Sequence, residues 1–189
     1  ANGEFIAWLN SDDLLQPGAI AAALEVFRSH PEAGLVYGDV LSINAAGQPI
    51  NLMKFKPYTL DDLMAFRIIS QPGVLMRRSV LEKAGPLDVR FHYMLDHQLW
   101  LRMVQLAGMV YLPRRQAAAR FHAEANNLAQ APKFGEETLK VAARQEAQPG
   151  LAGRMARSRR PAWAGARPGR GRNAAQGGRP GEARRSHGP

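Results

Sequence analysis

Hydrophobic and polar positions follow two different periods along the first three quarters of the chain. Short apolar runs rich in β-formers, bounded by turn residues, predict strands over residues 5–9, 35–41, 74–76 and 109–112, the last closed by Pro113. Residues 49–53 return as a hairpin partner after the turn at Ala45-Ala46-Gly47-Gln48, and 117–121 alternate as a further strand-like stretch. A period near 3.6 predicts helices over 19–30, 59–66, 80–84, 97–107 and 137–145. In the first of these Ile20, Leu24 and Phe27 share a face, and Pro31 ends it. Thr59 is placed to cap the second, with Asp61 and Asp62 in its first turn. Leu99, Met103 and Leu106 form the stripe of the 97–107 helix, widened by Trp100 and Val104. Strands interleaved with helices define an α/β domain.

From about Glu146 the pattern stops. Gly, Pro, Arg and Ala dominate, and such composition cannot bury enough apolar surface to offset the entropy of ordering. The division expected is therefore a folded domain over 1–143 and a disordered basic tail over 144–189. The tail carries eleven Arg against two Glu, which is the whole +9 of the chain, while residues 1–143 hold fourteen basic and fourteen acidic residues. The charge thus gives the folded part no basic face for nucleic acid. For the tail itself, a basic arm for an acidic membrane surface or nucleic acid and translation out of frame from GC-rich DNA are the readings. The absence of cysteine excludes a disulfide framework and thiolate metal sites. No apolar run reaches the length of a bilayer span and no secretory signal is visible, so the expected location is cytoplasmic. The chain begins at Ala1, directly before what reads as a central strand, as a piece of a longer domain would.

The candidate chemistry lies where the 5–9 strand ends. Asn10-Ser11-Asp12-Asp13 is an acidic turn, and Pro17 follows where a helix can start. Ligands of open α/β sheets bind past the carboxyl ends of strands, and two carboxylates with an amide oxygen suit a hard cation such as Mg²⁺ or Mn²⁺. Asx residues there also serve as turn and cap residues. Asp96 carries a similar pair of readings, N-cap of the following helix or general base. Arg77 and Arg78 read as a solvated pair or as groups facing a diphosphate, His122 as a structural histidine, and Asp39 as a sheet-end residue or a catalytic one.

Three segments, "GEFIAWLNSDDLLQPGAI", "QPGVLMRRSVLEKAGPLD" and "YMLDHQLWLRM", resemble family 2 glycosyltransferases of the GT-A fold. The resemblance covers about residues 1–143. It implies a partial GT-A domain, Rossmann-like and three-layered (α/β/α), in which Asn10 replaces the first Asp of an Asp-x-Asp-type signature. It further implies that Asp12, Asn10 and His122 hold Mg²⁺ or Mn²⁺, that Asp12, Asp13 and Arg78 face the nucleotide diphosphate, and that Asp96 is the catalytic base. Trp100 and Arg102 match the same segment, and Leu95 replaces an acidic residue that often precedes the base. The implied reaction transfers a sugar, with inversion, from a nucleotide-sugar donor to a saccharide or lipid-linked acceptor, peripheral to the cytoplasmic side of a membrane where the acceptor is a lipid. The family's fold places a strand and helix pair for the base and ribose ahead of the acidic turn, and this chain lacks it. An inactive remnant with an exposed apolar sheet edge is therefore a rival expectation. A nucleotidyltransferase is a weaker one, since residues 1–143 carry no Gly- and Arg/Lys-rich phosphate loop.

Overall fold

A computed structural model describes residues 2–121 and 131–147. His122 and the Arg-rich tail beyond residue 147 lie outside the described residues. The described part is a mixed α/β fold of the class expected, with a six-stranded sheet whose main path runs β1-β5-β3-β6-β2. Its strands are β1 (Phe5–Ala7), β2 (Leu14–Leu15), β3 (Ala33–Ile43), β4 (Pro49–Met53), β5 (Val74–Arg77) and β6 (Gly108–Arg120). Only the β3–β6 pair is parallel; the other pairs, β4 with β3 included, are antiparallel. The helices are α1 (Ala19–Ser29), α2 (Leu60–Met64), α3 (Arg78–Ala84), α4 (Leu95–Leu106) and α5 (Ala131–Glu146).

The centre of the sheet is β3, and its apolar run is buried on both faces. Leu35 and Tyr37 face a core that holds Leu63, Val80, Leu99, Trp100, Met103 and Val141 from α2 to α5. Val36 faces the opposite layer, where Ala23 and Phe27 of α1 pack with Ala33 and Leu75. Helices therefore cover both faces. The face α1 buries is Ala19, Ala23 and Phe27, while Ile20 is 47% exposed. Small alanines one turn apart let the helix lie close on the sheet, so the inward face is turned relative to the Ile20-Leu24-Phe27 stripe. On α4, Leu99 and Met103 are buried but Leu106, at the helix end, is exposed.

Three sequence expectations change. The 5–9 run gives a strand of only three residues, and β1 lies at an edge of the sheet, not at its centre. The helix starts at Ala19, as the 19–30 period predicts, and Pro17 does not open it. Leu14 and Leu15 first pair with Ala118 and Ala117, and Gly18 at φ 73 then turns the chain into α1. Nor does Pro113 end the last strand. The β3–β6 register jumps from Gly38↔Leu112 to Asp39↔Arg115, leaving Pro113 and Arg114 in a bulge where a ladder N–H is not required.

The bulge sits directly on Gly38, where a Cβ would meet Arg114 O at 2.6 Å and Leu112 O at 2.9 Å. Backbone cannot move aside as a side-chain tip can. Gly38→Ala is expected to destabilise the fold by about 2 kcal/mol or more. Denaturant unfolding measures this, and a loss below about 0.5 kcal/mol would show that the bulge is soft.

Beside the bulge, Asp39 is a buried mid-strand residue rather than a sheet end. Its Oδ1 accepts from Phe55 N (2.9 Å) and Tyr111 Oη (2.8 Å), and burial and this carboxylate push the Tyr111 phenol up to about 12. That occupies Asp39 structurally. The second helix forms as expected, with a capping box: Thr59 Oγ1 accepts from Asp62 N, and the Asp62 carboxylate accepts from Thr59 N.

Candidate active site

An open cleft of about 760 Å³ lies at the carboxyl ends of β1 and β6. Asn10, Asp12 and Asp13 line it from the turn after β1, and Asp96 lines it from the first turn of α4. Residues more than 80 positions apart in sequence thus meet at one opening.

The turn is held from three sides. Asp13 N donates to Asn10 O (3.2 Å), which closes the turn. The Asn10 amide donates to Asp13 Oδ2 (3.2 Å) and Gln71 Oε1 (3.3 Å). Gln71, in a short 3₁₀ turn (Gln71–Gly73) leading into β5, is itself buried and donates to Trp8 O. From β6, Arg120 N donates to Asp13 Oδ1 (2.9 Å), and the Arg120 guanidinium donates to the carbonyls of Asp12, Asn44 and Ala45.

The two aspartates therefore differ. Asp13 is 8% exposed and both its oxygens serve the turn, and desolvation raises its carboxyl above the usual range. Asp12 is half-buried and lines the cleft. With both Asn10 amide hydrogens used, its Oδ1 is the atom left to act as a ligand. Among the described residues no three His, Cys, Asp or Glu side chains cluster as a metal cage. Asp12 and the side-chain oxygen of Asn10 are hard-oxygen donors that both line the cleft. That fits Mg²⁺ or Mn²⁺, which bind through one or two carboxylates and complete their shell with water and substrate phosphate. His122, the further ligand expected, lies outside the described residues.

Asp96 is the second residue of α4, and Met94 occupies the N-cap position, so the N-cap reading does not hold in that form. Asp96 Oδ1 accepts from His97 N at 2.7 Å. Desolvation outweighs that bond and pushes its carboxyl up to about 6. The next side chain, His97, is buried against Leu63 O (3.0 Å) and stacked on Phe66, and burial lowers it to about 4, so it is neutral near pH 7.

Arg78 is not brought to the cleft. The acidic turn follows the end of β1, whereas Arg77 pairs with Phe5 at its start, across the length of β5. Four strand residues span roughly 13 Å. Arg78 Nε donates to Gly3 O, and its Nη1 lies 3.8 Å from Glu82. Nor is Arg77 solvated: its guanidinium covers the Phe5 and Phe27 rings and donates to Ala33 O. Trp100 is fully buried, and Arg102 ties α4 to the carbonyls of Ala84 and Pro86 after α3.

The rest of the cleft wall is largely apolar. Trp8, Phe55, Tyr93, Phe121 and Phe134 supply aromatic surface beside Ile68 and Ile69. Flat apolar surface beside a few polar groups suits sugar rings, which present C–H faces and hydroxyl edges.

Comparison with known proteins gives partial, distant similarity. No protein-family model matches the chain. It is 31% identical over 106 residues to "uncharacterized protein y4gI" of Sinorhizobium fredii, which covers 56% of this chain and 11% of that protein. It is 29% identical over 108 residues to a Myxococcus xanthus protein named "O-antigen biosynthesis protein RfbC", covering 57% of this chain and 8% of that protein. The chain thus matches about a tenth of the length of each of these relatives. No helix among the described residues is long and apolar enough to cross a membrane.

Proposed function

We propose that the cleft is the site of a metal-assisted, inverting sugar transfer from a nucleotide diphosphate-sugar to an acceptor hydroxyl. The observation that carries this reading is the convergence of Asn10, Asp12 and Asp13 with Asp96 at one aromatic-lined opening past the strand ends. Similarity to a protein named for O-antigen biosynthesis supports the same class of chemistry.

Asp12 and the Asn10 carbonyl would hold Mg²⁺ or Mn²⁺ in this reading. Held there, a cation would supply charge neutralisation for the departing diphosphate. Asp13, with Arg120 and Gln71, keeps the turn in one conformation, so Asp12 needs no reorganisation when the donor arrives. Asp96 takes the proton of the acceptor hydroxyl as that oxygen attacks the anomeric carbon from the face opposite the leaving group, giving inversion. A carboxylate titrating near 6 is mostly ionised at pH 7 and is a stronger base than an ordinary aspartate. Turnover should therefore rise with pH through about 6 and fall close to tenfold per unit below it. A saccharide or lipid-linked acceptor would lie along the aromatic wall.

The test is release of nucleoside diphosphate by the full chain from a panel of UDP-, GDP- and dTDP-sugars with Mn²⁺. The reading expects release from at least one donor, lost on chelation. A folded chain that turns over none of them would favour an inactive remnant.

A further inference from the structure

We propose that Glu137 is a positioning residue for Asp96, holding the turn that carries Asp96 into the cleft. The inference rests on the reading of Asp96 as the base.

Glu137 lies on α5, more than forty residues beyond the turn it contacts. Its carboxylate accepts from three successive backbone N–H groups: His92 (2.8 and 3.0 Å), Tyr93 (2.7 Å) and Met94 (2.9 Å). These are the residues that lead into α4, and Met94 is its N-cap. Three N–H groups on one carboxylate are charge-assisted bonds, and they satisfy donors at a helix start whose own cap side chain makes none. Asp96 follows two residues later.

Glu137 is 8% exposed and its helix is seated firmly, since Val141 and Ala142 enter the main core. Glu137 and Val141 are one helical turn apart, so burying one delivers the other. The backbone bonds hold the Glu137 carboxyl below its usual range against the opposing effect of desolvation, so it is ionised near neutrality. His92, Tyr93, Met94, Asp96 and His97 all line the same cleft, and Phe134 of α5 lines it too. The anchor thus fixes one wall of the site and the depth at which Asp96 sits. Freed from Glu137, the turn would let more water reach Asp96, which is already part-exposed at the cleft.

The test is an NMR titration of the aspartate carboxyls in the full chain, with the Asp96 signal assigned through Asp96→Asn. The wild-type Asp96 midpoint is expected near 6. In Glu137→Gln, which keeps size but loses the charge and one acceptor, that midpoint is expected to fall by at least one pH unit. Amide exchange at 92–94 should speed up at least tenfold. Glu137→Asp, which keeps the charge on a shorter arm, should recover part of both effects. It also serves as the test variant if Glu137→Gln fails to fold. An Asp96 midpoint that does not move in the folded variant overturns the proposal, even if amide exchange at 92–94 accelerates, because Glu137 would then only stabilise a turn. The transfer reading fails separately: Asp96→Asn that leaves sugar transfer intact sinks it whatever the titration shows.

Discussion

Asp96→Asn should abolish sugar transfer and leave the fold as stable as before or more so. Asparagine has the same shape and keeps an oxygen to accept from His97 N, so α4 retains its first-turn bond. On the proposed reading the base disappears, and removing a positioned general base lowers kcat by about 10²- to 10⁴-fold. The stability effect has a definite sign. The folded-state carboxyl titrates near 6 against an ordinary value of 3.8. Between those values the folded protein holds a proton that the unfolded chain releases, so stability falls as pH rises through that window and stays low above it. A shift of about two units corresponds to at most about 3 kcal/mol, and the partial exposure of Asp96 places the recoverable amount nearer 1 kcal/mol. Calorimetric melting at pH 8 should therefore show Asp96→Asn a few degrees above wild type, with the difference gone near pH 4. A lowered melting temperature with unchanged turnover would assign Asp96 to helix stability alone.

The neighbouring aspartates should separate in the opposite way. Asp12→Ala is expected to weaken Mn²⁺-dependent nucleotide binding at least tenfold and to cost less stability than Asp13→Ala, because the Asp12 carboxylate is only half-buried at the cleft. Asp13→Ala leaves Arg120 N and the Asn10 amide short of a partner in a buried turn, which costs about 1 to 3 kcal/mol. Its effect on binding should be indirect, through loss of the turn. Denaturant unfolding and calorimetry on the two variants give the comparison. Equal stability losses would mean that Asp12 also serves the turn.

The turn at residues 10–13 and the helix that starts beside Asp96 were legible in sequence because each combines an apolar periodic segment with polar residues at its mouth. The other strands and helices from β1 to α4, the two-residue β2 excepted, were legible for the same reason. The edge position of β1 and the pairing of Leu14-Leu15 depend on register against β5 and β6, which local pattern does not encode. Pro113 misled because its effect depends on whether its site needs an N–H, and the bulge opposite Gly38 removes that need. Arg78 looked suited to a diphosphate by charge, but the antiparallel β1–β5 pair places it at the wrong end of the strand. Gln71, Arg120 and Glu137 were missed as supports of the site. A signal existed for Glu137: it sits one turn before Val141, a charged residue in the line of the buried stripe.

On the proposed reading the acidic turn binds a nucleoside diphosphate through a divalent cation. Calorimetric titration of the full chain with UDP and with GDP, each with and without Mn²⁺, tests it most directly. At least one nucleotide is expected to bind, with a requirement for Mn²⁺ and loss of binding in Asp12→Ala. A folded chain that binds neither nucleotide, or binds one equally well without metal, would contradict it.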